Sequence, residues 1–346
     1  MVGMCKMNIT FLIGNGFDLN LNLDTRYSDF YEYYKKNDPK DMLSGSINKD
    51  YEMWSDLEFG LGEFLKDVDD NQIEEFLDSK STLETMLSEY LSSENNRVII
   101  RDEHSLGGEF RNKILNFFED FSAIDKEHYH KVIGETREQI NYRFITFNYT
   151  NVLDSIISAS QKSYKPFGNH TAGNSGYNDA VMMPHHIHGK LTEDLILGLD
   201  NADQISNDKL KINPKLTNYI IKSAVNTALG EKKIEKAKEI IDKSKYVCLF
   251  GLSIGDTDGM WWSYLIEWLK RDDNNRLVLF VNKNSNVRLS GQEKIRFRDS
   301  NREIMLMRSR CEDSETLNQV RDKIIIIPNS KIFNLENIVV EEKAND

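Results

Sequence analysis

The chain has 346 residues, 39% hydrophobic and 29% charged, enough for one large α/β domain with an insertion or for two domains. Its formal net charge of -12 excludes broad binding to a phosphate backbone, though not one small nucleotide held by backbone N–H groups. Three scattered cysteines (Cys5, Cys248, Cys311) form no Cys-x-x-Cys pair, no apolar run approaches the roughly 18 residues of a membrane span, and residues 1–7 lack a signal peptide's apolar core, so a cytoplasmic protein is expected.

The first expected element is a strand over 8–13, an apolar run that breaks into Gly14-Asn15-Gly16-Phe17-Asp18. Glycine there tolerates φ > 0 and has no Cβ to keep a pyrophosphate away. Leu19 stands where a dehydrogenase fingerprint has its third glycine, and no acidic residue ends a second strand about 20 positions on, so hydride transfer is disfavoured. A tight turn without ligand is the plain alternative.

From Tyr27 to Tyr142 no strand is expected. Helical stripes fill the interval: Leu57, Leu61, Phe64, Leu65 and Val68; then Leu83, Met86, Leu87, Tyr90 and Leu91; then Phe110, Ile114, Phe117, Phe118 and Phe121. Ser55-x-x-Glu58 and Ser81-x-x-Glu84 read as capping boxes that open two of these helices. The pattern predicts a helical subdomain, residues 31–141, inserted into a nucleotide-binding domain made of 7–30 and 142–330, with 331–346 as a tail.

The second strand, expected over 143–147, ends at Asn148, whose amide suits a ribose hydroxyl or a water; alternatively Asn148 or Thr150 caps the helix that follows. Residues 160–180 read as a surface loop and candidate lid leading to His185, His186 and His188. No acidic or cysteine partner has ligand spacing there, so no metal is expected, and a base near neutral pH is the sharper reading. His188, beside Gly189, is the choice; a core histidine satisfied by backbone is the alternative. Further strands are expected over 195–197, 246–250, 276–281 and 323–327. The second of these four ends in Phe250-Gly251-Leu252-Ser253, again a strand breaking into glycine and hydroxyl, and Asp256 or Asp258 reads as the next helix N-cap. Strands alternating with helices imply an α/β fold, a parallel sheet covered on both faces.

In this order, Gly14-Asn15-Gly16-Phe17-Asp18, Thr25-x-Tyr27-Ser28-Asp29-Phe30, Trp54-Ser55-Asp56-Leu57-Glu58, Thr146-Phe147-Asn148-Tyr149-Thr150, His186-Ile187-His188-Gly189, Ile196-Leu197-Gly198 and Phe250-Gly251-Leu252-Ser253 resemble the AbiH family of phage abortive-infection proteins. That family is similar, more distantly, to the sirtuin-like nucleotide-binding fold. The resemblance therefore implies a parallel Rossmann-like (sirtuin-like) sheet with helices on both faces and a helical insertion. Gly14 and Gly16 stand for its Gly-Ala-Gly loop, Asn148 for the asparagine of Thr-Gln-Asn-x-Asp, His188 for the histidine of His-Gly, and Gly251 with Ser253 for Gly-Thr-Ser.

Two departures and one absence stand out. Thr150 sits where the asparagine motif has Asp, Asp18 replaces the loop serine, and the four-cysteine zinc module of sirtuin deacylases cannot be built. Protein deacylation is accordingly disfavoured. The resemblance implies instead an abortive-infection effector that hydrolyses NAD to nicotinamide and ADP-ribose. Asn148 and His188 would be catalytic, and Gly14, Asn15, Gly16, Phe17, Asp18, Thr25, Tyr27, Gly189, Gly251, Ser253 and Asp256 would bind NAD, which is substrate; no prosthetic group is implied. Glu58 is assigned to its cap rather than to the ribose. The alternative is a non-catalytic sensor of a nucleotide or NAD metabolite, or an interaction subunit of a defence system. A phage-derived trigger, a defence partner and self-association are partners this reading allows; membrane and nucleic acid are not expected.

Overall fold

Strand β1 (Met7–Ile13) is buried along its whole length, as an apolar run without a polar face requires. In the computed structural model, which describes residues 7–255, 258–282 and 290–343, it lies at the centre of the main sheet. After it come helices α1 (Gly16–Asn20), α2 (Tyr27–Lys36), α3 (Ser44–Lys49), α4 (Leu57–Phe64) and α5 (Ile73–Asn96), strand β2 (Val98–Ile100), and helices α6 (Glu103–Leu115) and α7 (Ala123–Glu135). Next are β3 (Ile140–Thr146), α8 (Val152–Ser163), β4 (Gly168–Ala172), β5 (Ser175–Val181) and β6 (His185–His186). Helices α9 (Pro214–Ile220), α10 (Lys222–Ala228) and α11 (Lys233–Asp242) lead to β7 (Ser244–Phe250), α12 (Gly259–Lys270) and β8 (Arg276–Val281). The chain closes with α13 (Gly291–Arg308), α14 (Ser314–Arg321), β9 (Ile324–Pro328) and β10 (Ile338–Val340).

The sheet runs β4-β5-β3-β1-β7-β8-β9, with β6 paired to β3 beyond the end of β5. Strands β3, β1, β7, β8 and β9 are parallel; β1 pairs with β3 up to Ile13↔Thr146 and with β7 up to Ile13↔Phe250. Numbered by their appearance, these five strands lie in the order 2-1-3-4-5, so the winding reverses beside β1 and the switch point falls between the carboxyl ends of β1 and β7. The architecture is mixed α/β, a mostly parallel sheet flanked by helices.

Alternation along the strands supplies two apolar faces. Ile9, Phe11, Phe144, Tyr246, Cys248, Val278 and Ile325 join α6, α7 and α8 in one core. Leu12, Ile145, Val247, Leu249, Leu277 and Ile324 join α11 to α14, including Trp261, Trp262 and Trp268, in the other. A third core stands beside the sheet: α2 to α5 bury Phe30, Tyr34, Trp54, Leu61, Phe76 and Leu87 against Leu197, Leu199, Leu216 and Ile220. The stripe through Phe110 and Phe117 thus packs on the sheet, apart from the two preceding stripes.

Several expectations are corrected. Residues 195–197 form no strand: Ile196 and Leu197 are buried as irregular chain, pinned by the Ile196 N–H donating to the His188 carbonyl at 2.8 Å. The expected loop over 160–180 contains the antiparallel hairpin β4–β5, closed by Gly173-Asn174, with Gly173 at φ 60°. Polar and small residues fill most of both strands, which hid the period-2 pattern. The interval up to Tyr142 also holds β2, which pairs with the distant β10, and the start of β3. Ser81 lies inside the continuous α5, where no cap is needed. For α4 the cap is Asp56, whose carboxylate accepts from the Glu58 and Phe59 N–H groups, while Ser55 bonds back to the Glu52 carbonyl. That leaves the Glu58 side chain without a capping role.

Candidate functional site

The turns after β1 and β7 meet backbone to backbone. The Gly16 N–H donates to the Gly251 carbonyl at 2.8 Å, and a Cβ on Gly16 would stand 2.5 Å from the Gly251 Cα. Gly251 itself has φ 70°, with its own Cβ position 2.6 Å from the Phe17 nitrogen. Close approach of two protein turns therefore requires these glycines. Their neighbours hold the turn in shape. Asn15 and Thr25 exchange two hydrogen bonds, of 2.8 and 2.6 Å, and Phe17 packs edge-on to Phe333 at 5.2 Å.

One side of α1 borders a cavity of about 730 Å³ at the carboxyl ends of β7, β8 and β9. Gly16, Arg26, Gly251, Asn282, Asn329 and Lys331 contribute to its wall, and among the described residues no aspartate or glutamate does. In a chain of net charge -12, a wall with two cations and several carboxamides but no carboxylate suits an anionic, hydrogen-bonding ligand. Ser253 lies exposed just past this wall.

The other side of α1 faces the residues that follow β3. The Asp18 carboxyl, 1% exposed, accepts from the Thr150 hydroxyl at 2.8 Å. Asp18 and Thr150, far apart in sequence, thus touch. Burial pushes the Asp18 carboxyl up to about 7, against the lowering effect of Thr150, Asn148 and His186. Asn148 is buried beside it, yet neither Asn148 Nδ2 nor Asp18 Oδ1 has a hydrogen-bond partner. Neither Asn148 nor Thr150 caps α8, whose N-cap position is Asn151. His186 bonds the Asn148 carbonyl through Nδ1 at 3.1 Å and Asp154 through Nε2 at 2.8 Å, so both its nitrogens brace this corner. His185 is tied to the Lys233 carbonyl on α11.

His188 turns to a different neighbourhood. Its ring stands edge-on to Phe147 at 5.5 Å and 6.3 Å from Tyr149. Burial, reinforced by the Lys222 ammonium, holds its imidazole well below the ordinary range despite a hydrogen bond to the Phe147 backbone, so it is neutral at pH 7. Gly189 has φ 79°, and the Asp194 carbonyl lies 2.0 Å from where its Cβ would be; the glycine serves the turn, and the space expected beside His188 is taken.

Lys222 is the centre of a buried cluster that linear reading missed. Its ammonium pairs with Glu58 on α4 and lies 3.4 Å from Asp200 Oδ1. Asp258 joins them electrostatically: it occupies the N-cap position of α12, but its side chain makes no cap bond. Burial alone would lower Lys222, but Glu58, Asp200 and Asp258 outweigh it and keep the ammonium charged. Burial, with Asp258 and Asp200, pushes Glu58 up to about 8 against Lys222; burial likewise pushes Asp258 up to about 6. Three carboxyls around one ammonium therefore retain a proton near neutral pH. Tyr27 and Tyr149 border this cluster, their hydroxyls pushed up by burial and by Glu58 among neighbouring groups. Asp200 and Lys222 are neighbours because Leu199 bridges Ile221, a contact that no sequence spacing announces.

Asp256 lies outside the described residues. Most of the remaining expected residues fall into three neighbourhoods: the glycine turns with the cavity, Asp18 with Asn148, and His188 and Tyr27 with Tyr149 and Lys222. Neither Asn148 nor His188 lines the cavity. Among the described residues no helix is long and apolar enough to cross a membrane. No curated protein matches the chain. The family model for bacteriophage abortive infection AbiH matches residues 10–280, from β1 through most of β8. With well over half of its length matched, the chain belongs to the AbiH family of bacteriophage abortive-infection proteins.

Proposed function

We propose that the chain is a cytoplasmic abortive-infection effector that binds NAD across the carboxyl rim of a sirtuin-like sheet and hydrolyses it to nicotinamide and ADP-ribose. The observation that carries the reading is the buried, unsatisfied Asn148 amide beside Asp18, across α1 from a cavity whose wall carries Arg26, Lys331 and several asparagines and, among the described residues, no carboxylate. On this reading the adenosine and diphosphate occupy the cavity near Arg26 and Lys331, and the nicotinamide ribose lies over Gly16 toward Asn148 and His188. Residues 7–30 and 142–330, with Lys331 and Asn334 from the segment that follows, supply this site, and 31–141 supply the wall that carries Glu58.

The chemistry needs little acid. Nicotinamide leaves a cationic pyridinium as a neutral molecule, and the ribose carbon passes through an oxocarbenium-like state. The protein's task is to hold the sugar in a dry pocket and to deliver water. Asn148 orients a sugar hydroxyl or the water, and neutral His188 accepts a hydroxyl proton.

The test incubates purified protein with NAD, with and without phage components. Nicotinamide should be released by wild type and lost in Asn148→Ala and His188→Ala. Equal NAD loss in all three proteins, in every activated state, overturns the reading. One observation favours a second reading: Asn148 is only 7% exposed and absent from the cavity wall. A sensor that binds nucleotide without turnover would use the cavity alone; calorimetry with intact ligand recovered would support it.

A further inference from the structure

We propose that Asp18 is a catalytic residue of this site: with Asn148 it holds the attacking water, and its carboxylate takes that water's proton. The proposal rests on the reading of the site as an NAD hydrolase and assigns it a base that the glycine-loop motif did not reveal.

The argument begins with hydrogen bonds left open. Buried polar atoms are nearly always satisfied, and two neighbouring exceptions call for one explanation. Asp18 Oδ1 is an acceptor without a donor, and Asn148 Nδ2 is a donor without an acceptor. The carboxamide lies close enough to favour the ionised carboxylate, yet neither atom completes a bond to the other. A single hydroxyl that donates to Oδ1 and accepts from Nδ2 satisfies both. A purely structural Asp18 would link two loops through Thr150, but that uses only Oδ2, at 2.8 Å. A neutral asparagine could make the same link without burying a carboxylate.

Position and charge fit the role. Asp18 is carried in the first turn of α1, over the end of β1, with its side chain directed at the residues that follow β3. The titratable group facing it is His186 on β6, itself bonded to Asp154 on α8. A carboxyl pushed up to about 7 by burial is ionised in a large fraction at neutral pH and is basic enough to accept a proton there.

The step balances without any other reactant. The bond from the ribose C1′ to the nicotinamide nitrogen breaks, and its electron pair leaves on the neutral nicotinamide. The water oxygen forms the new bond to C1′, one water proton passes to Asp18 Oδ1, and the carboxyl later returns it to solvent. His188 is then left to its separate partner, a ribose hydroxyl.

The test measures NAD hydrolysis against pH for the full chain as wild type, Asp18→Asn and Thr150→Val, with phage components present. Wild-type kcat should rise more than tenfold between pH 5.5 and 7.5. Asp18→Asn should lower kcat at least about 100-fold while KM stays within about threefold. Thr150→Val removes a hydrogen bond that favours the carboxylate, so it should retain turnover with its pH rise displaced to higher pH. A structural link alone would move stability without moving that profile. If Asp18→Asn fails to fold, the Thr150→Val profile decides. Asp18→Asn within threefold of an active wild type, or an unshifted Thr150→Val profile, overturns the role of Asp18 and leaves NAD hydrolysis standing. A wild type that binds NAD and releases no nicotinamide in any state overturns both.

Discussion

Replacing Asp18 with Asn should change how stability depends on pH, by an amount the structure supplies. The carboxyl has an ordinary value of 3.8 when exposed in the unfolded chain and about 7 in the fold, where burial disfavours its charge. The folded state therefore holds the proton more tightly. Its contribution to stability is complete below about pH 4 and is lost as pH rises through 7. Single-site linkage between these two values gives a loss of about 2–3 kcal/mol from pH 5 to pH 8. Asp18→Asn has no such proton to lose. Measured by urea unfolding, the stability of the variant relative to wild type should improve by about 2–3 kcal/mol between the two pH values, with m unchanged. Glu58 and Asp258 titrate in both proteins and cancel in the comparison. A difference constant to within about 0.5 kcal/mol would show that Asp18 is not buried as an uncompensated carboxyl.

Lys222→Met should cost about 3–5 kcal/mol, because Glu58, Asp200 and Asp258 lose their common cation. Adding Glu58→Gln should recover part of that loss, as chemical denaturation of the double variant would show. Gly16→Ala should destabilise by about 1–3 kcal/mol, since its Cβ would fall 2.5 Å from the Gly251 Cα. Gly45→Ala, with nothing within 4 Å of the added atom, should melt near wild type and serves as control. Removing both cations from the cavity with Arg26→Ala and Lys331→Ala should weaken NAD binding about tenfold or more in calorimetry, and less so at high salt. Unchanged affinity would place the diphosphate elsewhere.

The sheet was legible because its core strands are nearly pure apolar runs. Residues 246–250, 276–281 and 324–327 could hardly be anything but buried strands, and each ends in a break that marks the carboxyl rim. The β4–β5 hairpin escaped because it lies at the sheet edge with polar and small residues filling most of both strands. Strands β2 and β10 escaped because three residues carry no period and their pairing joins positions more than 230 apart. At the site, turn chemistry was visible and its purpose less so. Gly189 and Gly251 have the positive φ that suits glycine, Gly16 begins α1 without one, and protein atoms fill the space that all three missing Cβ atoms leave. Glu58 looked occupied because Ser55-x-x-Glu58 fits a capping box; Asp56, one residue on, took the cap instead and left Glu58 for Lys222. Lys222 and Asp200 gave no local signal at all, since a buried ion pair between distant residues is created by tertiary contact alone.

The most direct measurement follows NAD in bacteria that carry the chain, before and after phage infection. The wild-type chain should empty the NAD pool as infection proceeds and stop phage growth, while Asn148→Ala at equal abundance preserves the pool and lets phage multiply. Protection by wild type with NAD undiminished, or protection kept by Asn148→Ala, would contradict the account.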